Sequence, residues 1–226
     1  MDTKKRNIII TAIGVGVALV IFVIIAIFGM FRGFSAQKYV NARLDQIFKG
    51  EVETLADMTK GVGEAELMAQ YESIVASYAT NSLAGGIEME AELKEKYVAL
   101  CKDIFADMKY SVKEDKKQKG DTYEVTVQYQ TSDIADRIGK AASTVKAKLD
   151  EKVENGEYRG TTDEIVAQMQ QDFLKEVYPL FEEAAKNMEY GKKQTIVITV
   201  EKGENDLYKI DQEQISNFIK KTGLGK

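Results

Sequence analysis

Asp121-Thr122-Tyr123-Glu124-Val125-Thr126-Val127-Gln128-Tyr129 alternates apolar and polar side chains without a break. That period of two is what a half-buried β-strand requires, because successive side chains point to opposite faces of a sheet. Just upstream, Tyr110 and Val112 alternate with Lys109, Ser111 and Lys113, and Lys119-Gly120-Asp121 supplies a turn. The spacing predicts an antiparallel hairpin with one apolar and one wetted face. A second hairpin is expected from Gln194 to Lys202 and from Leu207 to Asp211. There Ile196, Ile198 and Val200 face one way and Thr195, Val197 and Thr199 the other, and the valine in the outward set marks this strand as the more central one. Both hairpins carry Asp-x-Tyr-x-(Val/Ile), at Asp121 to Val125 and at Asp206 to Ile210. An aspartate at a turn and a tyrosine on a half-buried strand are each favoured locally, so a shared hairpin solution explains the repeat.

Away from the hairpins the period becomes helical. Val40, Leu44, Ile47 and Phe48 mark one amphipathic face, Leu67, Tyr71, Ile74, Val75 and Tyr78 a second, and Leu93 to Met108 a third. Gly50, Gly61 and Gly85-Gly86 punctuate them, and Glu51 to Lys60 is expected to hold a short helical turn. A thin stripe from Ile134 to Val153 ends at Gly156 to Gly160, where Thr161 and Glu164 form a capping box for a long helix reaching Met188. Pro179 falls inside that helix and predicts a kink near Lys175 to Tyr178, because the stripe continues beyond it. Ile215, Phe218 and Ile219 predict a short closing helix. The fold class is therefore α+β, with several helices on one face of a four-stranded antiparallel sheet made of two hairpins.

Ile8 to Phe31 is a run of 24 residues without a charge, preceded by Lys4, Lys5 and Arg6 and followed by Arg32. As a helix it would extend about 36 Å, enough to cross a hydrocarbon core of about 30 Å. A cleaved secretory signal has an apolar stretch of about 7 to 15 residues and a small-x-small cleavage site, so an uncleaved anchor is the expectation. Ala12/Gly16 and Gly14/Ala18 are small-xxx-small pairs, which lipid-facing packing explains as readily as helix pairing. The basic cluster before the run places the amino terminus in the cytoplasm and the rest outside it. The expected organisation is a cytoplasmic tail over 1–7, a transmembrane helix over 8–31, a linker over 32–35, an extracytoplasmic domain over 36–222 and a tail over 223–226.

The segment from Ser35 onward has 27 basic and 35 acidic side chains, a net charge of −8. Phosphate backbones are bound by clustered Lys and Arg, so nucleic acid is not expected as a partner. Lys116, Lys117 and Lys119 do cluster, but among Glu114, Asp115 and Asp121 at a hairpin tip. There is no histidine, which removes Ser-His-Asp and Cys-His nucleophiles and every zinc site that needs imidazole. Cys101 is the single cysteine and falls on the stripe of Leu93, Tyr97, Leu100, Ile104, Phe105 and Met108, which predicts a buried thiol. The acidic turn Glu201 to Asp206 lacks the ligand spacing of a calcium loop. No catalytic residue, cofactor or metal is expected.

Three functional classes fit. The first is a non-enzymatic binding module, membrane-anchored and extracytoplasmic, for an envelope protein, a peptide or another envelope component. Its candidate face is the open side of the sheet, where Glu124, Thr126, Gln128, Val197, Thr199 and Lys209 point away from the helices. The second is a small-molecule sensor or carrier with a pocket between sheet and helices, lined by Tyr71, Tyr97, Tyr110, Tyr123 and Tyr129, although tyrosines at these spacings more often pack a core. The third is a carboxylate-based hydrolase, and pairs such as Glu182 and Glu183 arise by chance in so acidic a domain.

Ala36-x-x-Tyr39-Val40-x-Ala42, Asp45, Phe48-Lys49-Gly50-Glu51 and Tyr208-Lys209-Ile210-Asp211 together resemble uncharacterised surface-domain families of Gram-positive bacteria. Those are cell-surface lipoproteins or single-pass membrane proteins, many with a cystatin-like or nuclear-transport-factor-like α+β domain. The resemblance covers the layout from Ala36 to Lys220. It implies a location and a fold, and it carries no catalytic residue. This chain departs from it by having a span in place of a lipobox cysteine.

Overall fold

The alternating segments pair as their period requires. The computed structural model describes residues 29–30, 34–59, 61–118, 122–202 and 207–225. Strand β2 (Tyr110–Lys117) pairs antiparallel with β3 (Thr122–Ser132), and β3 pairs with β4 (Tyr190–Lys202) in the register Glu124↔Thr199, Thr126↔Val197 and Gln128↔Thr195. Strand β5 (Leu207–Ile210) returns against β4 over Val200 to Lys202. The four strands of the two expected hairpins are present, and β4 begins earlier than the sequence suggested, at Tyr190. A bulge between Val112 and Asp115 sets Lys113 and Glu114 against the single residue Thr126.

A fifth strand corrects the expected organisation. Gly29–Met30 (β1) lies on the outer edge of β5, with Gly29 opposite Tyr208 and Met30 opposite Leu207, giving the order β1-β5-β4-β3-β2. A helix spanning 8–31 therefore cannot run through its last residues. The edge of β5 presents backbone donors and acceptors that an extended neighbour satisfies and a helix does not. The rest of the run, Ile8 to Phe28 and Phe31, lies outside the described residues, and among the described residues no helix is long and apolar enough to cross a membrane. Nor is 32–35 simply a linker. Phe34 stacks on Tyr208 at 3.7 Å between ring centroids, and the Ser35 hydroxyl caps the first helix by accepting from Lys38 N at 3.1 Å.

That helix, α1 (Ala36–Lys49), is the axle of the core. Ala36, Tyr39, Val40, Leu44, Ile47 and Phe48 are buried, and α1 packs against α2 (Glu53–Met58), α3 (Glu64–Ser77), α4 (Ala91–Ala106), β2 and β3. The residues that carry the family resemblance are thus mainly packing residues of α1 and its cap. Helix α3 continues into a π-helical turn, Tyr78–Leu83, whose Tyr78 meets Phe105 of α4 edge-on. Cys101 is buried in α4, and burial pushes its thiol well above the usual range.

Helices α5 (Ile134–Glu154) and α6 (Thr162–Lys186) form an antiparallel pair joined through 155–161. Both halves of the capping box are made: Thr161 Oγ1 accepts from Glu164 N, and Glu164 accepts from Thr161 N at 2.7 Å. Helix α6 runs through Pro179 without ending. One turn before the proline, the buried Tyr97 hydroxyl donates to the Leu174 carbonyl at 2.9 Å, tying α4 to α6. Helix α7 (Gln212–Ile219) sends Phe218 against Tyr129, Phe48 and Tyr110 under the sheet.

The chain beyond α7 also corrects the expectation, which made 223–226 a tail. Gly223 and Leu224 are buried in a closing turn, Lys220–Leu224, against the end of β3. The Ser132 hydroxyl donates to Thr222 O at 2.9 Å and the Thr131 hydroxyl to Lys221 O at 2.7 Å. Short polar side chains at the strand end thereby satisfy the carbonyls that the turn leaves open.

Candidate binding face on the sheet

Val125, Val127 and Tyr129 of β3, Ile198 and Val200 of β4, and Tyr208 and Ile210 of β5 are buried beneath the helices. Their neighbours along each strand must then project from the other side. The register brings Glu124, Thr126, Gln128, Val197, Thr199 and Lys209 onto that side, where Glu124, Val197 and Lys209 are exposed and Thr126, Gln128 and Thr199 half-buried. Val197 is 50% exposed and is the one large apolar side chain left so open among the described residues.

Two of the six are held by local contacts. Gln118 donates to Glu124 at 2.7 Å across the β2–β3 hairpin. Thr199 is fixed by its backbone: its N–H donates to Gln214 Oε1 at 2.8 Å, and its carbonyl accepts from Gln214 Nε2 at 3.3 Å. Gln214 of α7 thus stands in for the strand residue that β5 would supply if it were longer. Beyond that substitute, β4 has no strand neighbour on its β5 side, so it is interior to the sheet only near its carboxyl end.

At the β2 edge of the sheet, bordering this face through Gln128, lies a depression of about 330 Å³ that the sequence did not single out. Lys109 just before β2, Ser111 and Lys113 of β2, Gln128 of β3 and Lys193 of β4 line it, with Lys49 of α1 and with Tyr110 and Tyr129. The Lys109 ammonium sits 5.3 Å from the centre of the Tyr190 ring, and Lys49 reaches Asp45 at 2.6 Å. Asp45 also accepts from the Tyr110 hydroxyl at 2.7 Å; burial first, and then this carboxylate, push the Tyr110 hydroxyl far above its usual range. The lysines lie in separate sequence segments, Lys109 and Lys113 on one hairpin and Lys193 on the other, so only strand pairing unites them.

Of the tyrosines considered as pocket linings, Tyr110 and Tyr129 both border this depression, whereas Tyr97 packs on Tyr178 and Phe181 and Tyr123 joins Phe34 and Tyr208, so the five do not share one cavity. Glu182 accepts from the Tyr178 hydroxyl at 3.2 Å, while Glu183 is exposed one residue on, and adjacent helical residues do not face each other. Of the acidic turn weighed for calcium, 203–206 lie outside the described residues. No group of three or more acidic or cysteine side chains suited to a metal ion occurs among the described residues. Comparison with known protein families, with curated proteins and with solved structures finds no match.

Proposed function

We propose that the protein is a membrane-anchored, extracytoplasmic binding module that acts through the open face of its sheet and turns over no substrate. The observation that carries this reading is the gathering of Glu124, Thr126, Gln128, Val197, Thr199 and Lys209 on one face, with Val197 half exposed at its centre. Protein interfaces combine apolar side chains with a polar rim, and this face supplies both. The anchor rests on the uncharged run and its basic flank, of which only Gly29 and Met30, the residues of β1, are among the described residues.

Two measurements test this. Lys38 is exposed and Cys101 is buried, so Lys38→Cys introduces the one accessible thiol among the described residues. A membrane-impermeant maleimide should label it on intact cells, and labelling only after lysis would reverse the topology. A photo-reactive residue in place of Thr126 should give a discrete adduct in cells, whereas one in place of the exposed Glu151 on α5 should not. Equal adducts from both positions, or none from either, would remove the sheet face as the site. A hydrolytic activity lost on changing one carboxylate pair would refute the non-enzymatic reading.

A further inference from the structure

We infer that the lysine-lined depression at the β2 edge of the sheet is a site for a compact, soluble phosphate ester of a polyol. The inference rests on the binding-module reading above and gives its ligand a chemical class. Acidic residues outnumber basic ones by 36 to 31 in the chain, yet every charged side chain lining this depression is a lysine. Lysine is the charge most used to guard a sheet edge against pairing, which accounts for positive charge on β2, so the charge is only the first of two observations.

The second observation is how the donors are committed. Lys113, Lys193, the Ser111 hydroxyl and the Gln128 amide have no hydrogen bond or ion pair from their side chains among the described residues. Lys109, held over the Tyr190 ring, keeps its charge beside them. Two free ammoniums and a third ordered one suit an oxyanion, and the adjoining hydroxyl and amide suit the hydroxyl groups of a polyol.

Size and layout decide among anions. About 330 Å³ is at the lower end of small-ligand sites, room for one phosphorylated unit. The donors cross three strands, from Ser111 and Lys113 on β2 through Gln128 on β3 to Lys193 on β4, whereas an acidic peptide added to the sheet would follow one edge. A lipid headgroup would bring acyl chains to a face whose one half-exposed large apolar side chain is Val197.

The test is calorimetric titration of the full chain, in neutral detergent, with glycerol 3-phosphate. Glycerol, hexaglutamate and phosphatidylglycerol vesicles serve as comparison probes. Saturable binding of glycerol 3-phosphate is expected, weakened about tenfold or more by Lys113→Gln with Lys193→Gln and unchanged by Lys148→Gln on the distant α5. Thermal unfolding of the double variant should match the parent, since both lysines lack partners among the described residues. Absence of saturable binding, binding untouched by the double variant, or equal binding of hexaglutamate would overturn the inference. So would binding to phosphatidylglycerol vesicles alone. A Thr126 adduct that persists when glycerol 3-phosphate fails to bind would sink the ligand class and leave the binding-module reading intact, whereas loss of both would sink the two together.

Discussion

Replacing Gly223 by alanine should destabilise the protein by about 3 to 5 kcal/mol, most of it arising from a contact formed across the fold. Gly223 has φ +95°, a backbone region in which an L residue is disfavoured by roughly 1 to 2 kcal/mol. Alanine recovers part of that, about 0.4 to 1 kcal/mol, by restricting the unfolded chain. The larger contribution is steric. A Cβ at this position would stand 2.3 Å from Ser132 O and 2.7 Å from Ser132 Oγ, and the first of these is backbone that cannot swing aside. Relief requires the turn to move away from β3, which breaks the buried bond from Ser132 Oγ to Thr222 O and strains that from Thr131 Oγ1 to Lys221 O. Each buried polar group left unpaired costs about 1 to 3 kcal/mol. Gly156→Ala is the internal control, because Gly156 has φ +71° with no atom within 4 Å of the added carbon. It should cost about 1 kcal/mol, the backbone contribution alone. Urea unfolding of both variants, followed by circular dichroism, measures the difference. Equal destabilisation of the two would refute the argument and return the closing turn to the status of a loose tail.

Tyr97→Phe removes the hydroxyl that reaches Leu174 O while keeping the ring, and should cost about 1 to 2 kcal/mol in the same assay; no change would mean that α4 and α6 are joined by packing alone. Alkaline pH should unfold the protein cooperatively. Burial raises the hydroxyl pKa of Tyr78 and Tyr97 above the ordinary value near 10, so above that pH the native state holds protons that the unfolded chain releases. The stability these tyrosines contribute is intact below pH 10 and falls as pH rises beyond it, by about 1.4 kcal/mol per pH unit for each. Tyrosinate absorbance and circular dichroism should therefore change together, and ionisation of every tyrosine near pH 10 with the fold retained would contradict this.

Periodicity carried most of the fold. The alternation from Tyr123 to Tyr129 placed Val125 and Val127 inside and Thr126 and Gln128 outside, and the Thr161/Glu164 capping box located the start of α6, because these features depend on neighbours within a few residues. The six residues proposed for the open face were legible for the same reason: a strand that buries one side must expose the other. Three features were not legible, each because it depends on a partner remote in the chain. Gly29 and Met30 read as the end of an apolar helix, and it is the vacant edge of β5 that makes them a strand. Gly223 read as tail composition, and it is the approach of Ser132, some ninety residues away, that excludes any side chain there. Lys109 and Lys113 read as polar positions of one hairpin and Lys193 fell just outside the other, and it is the pairing of β3 with both β2 and β4 that brings their charges around one depression. Local pattern determined which face each residue takes; only the register of distant strands decided which residues share it.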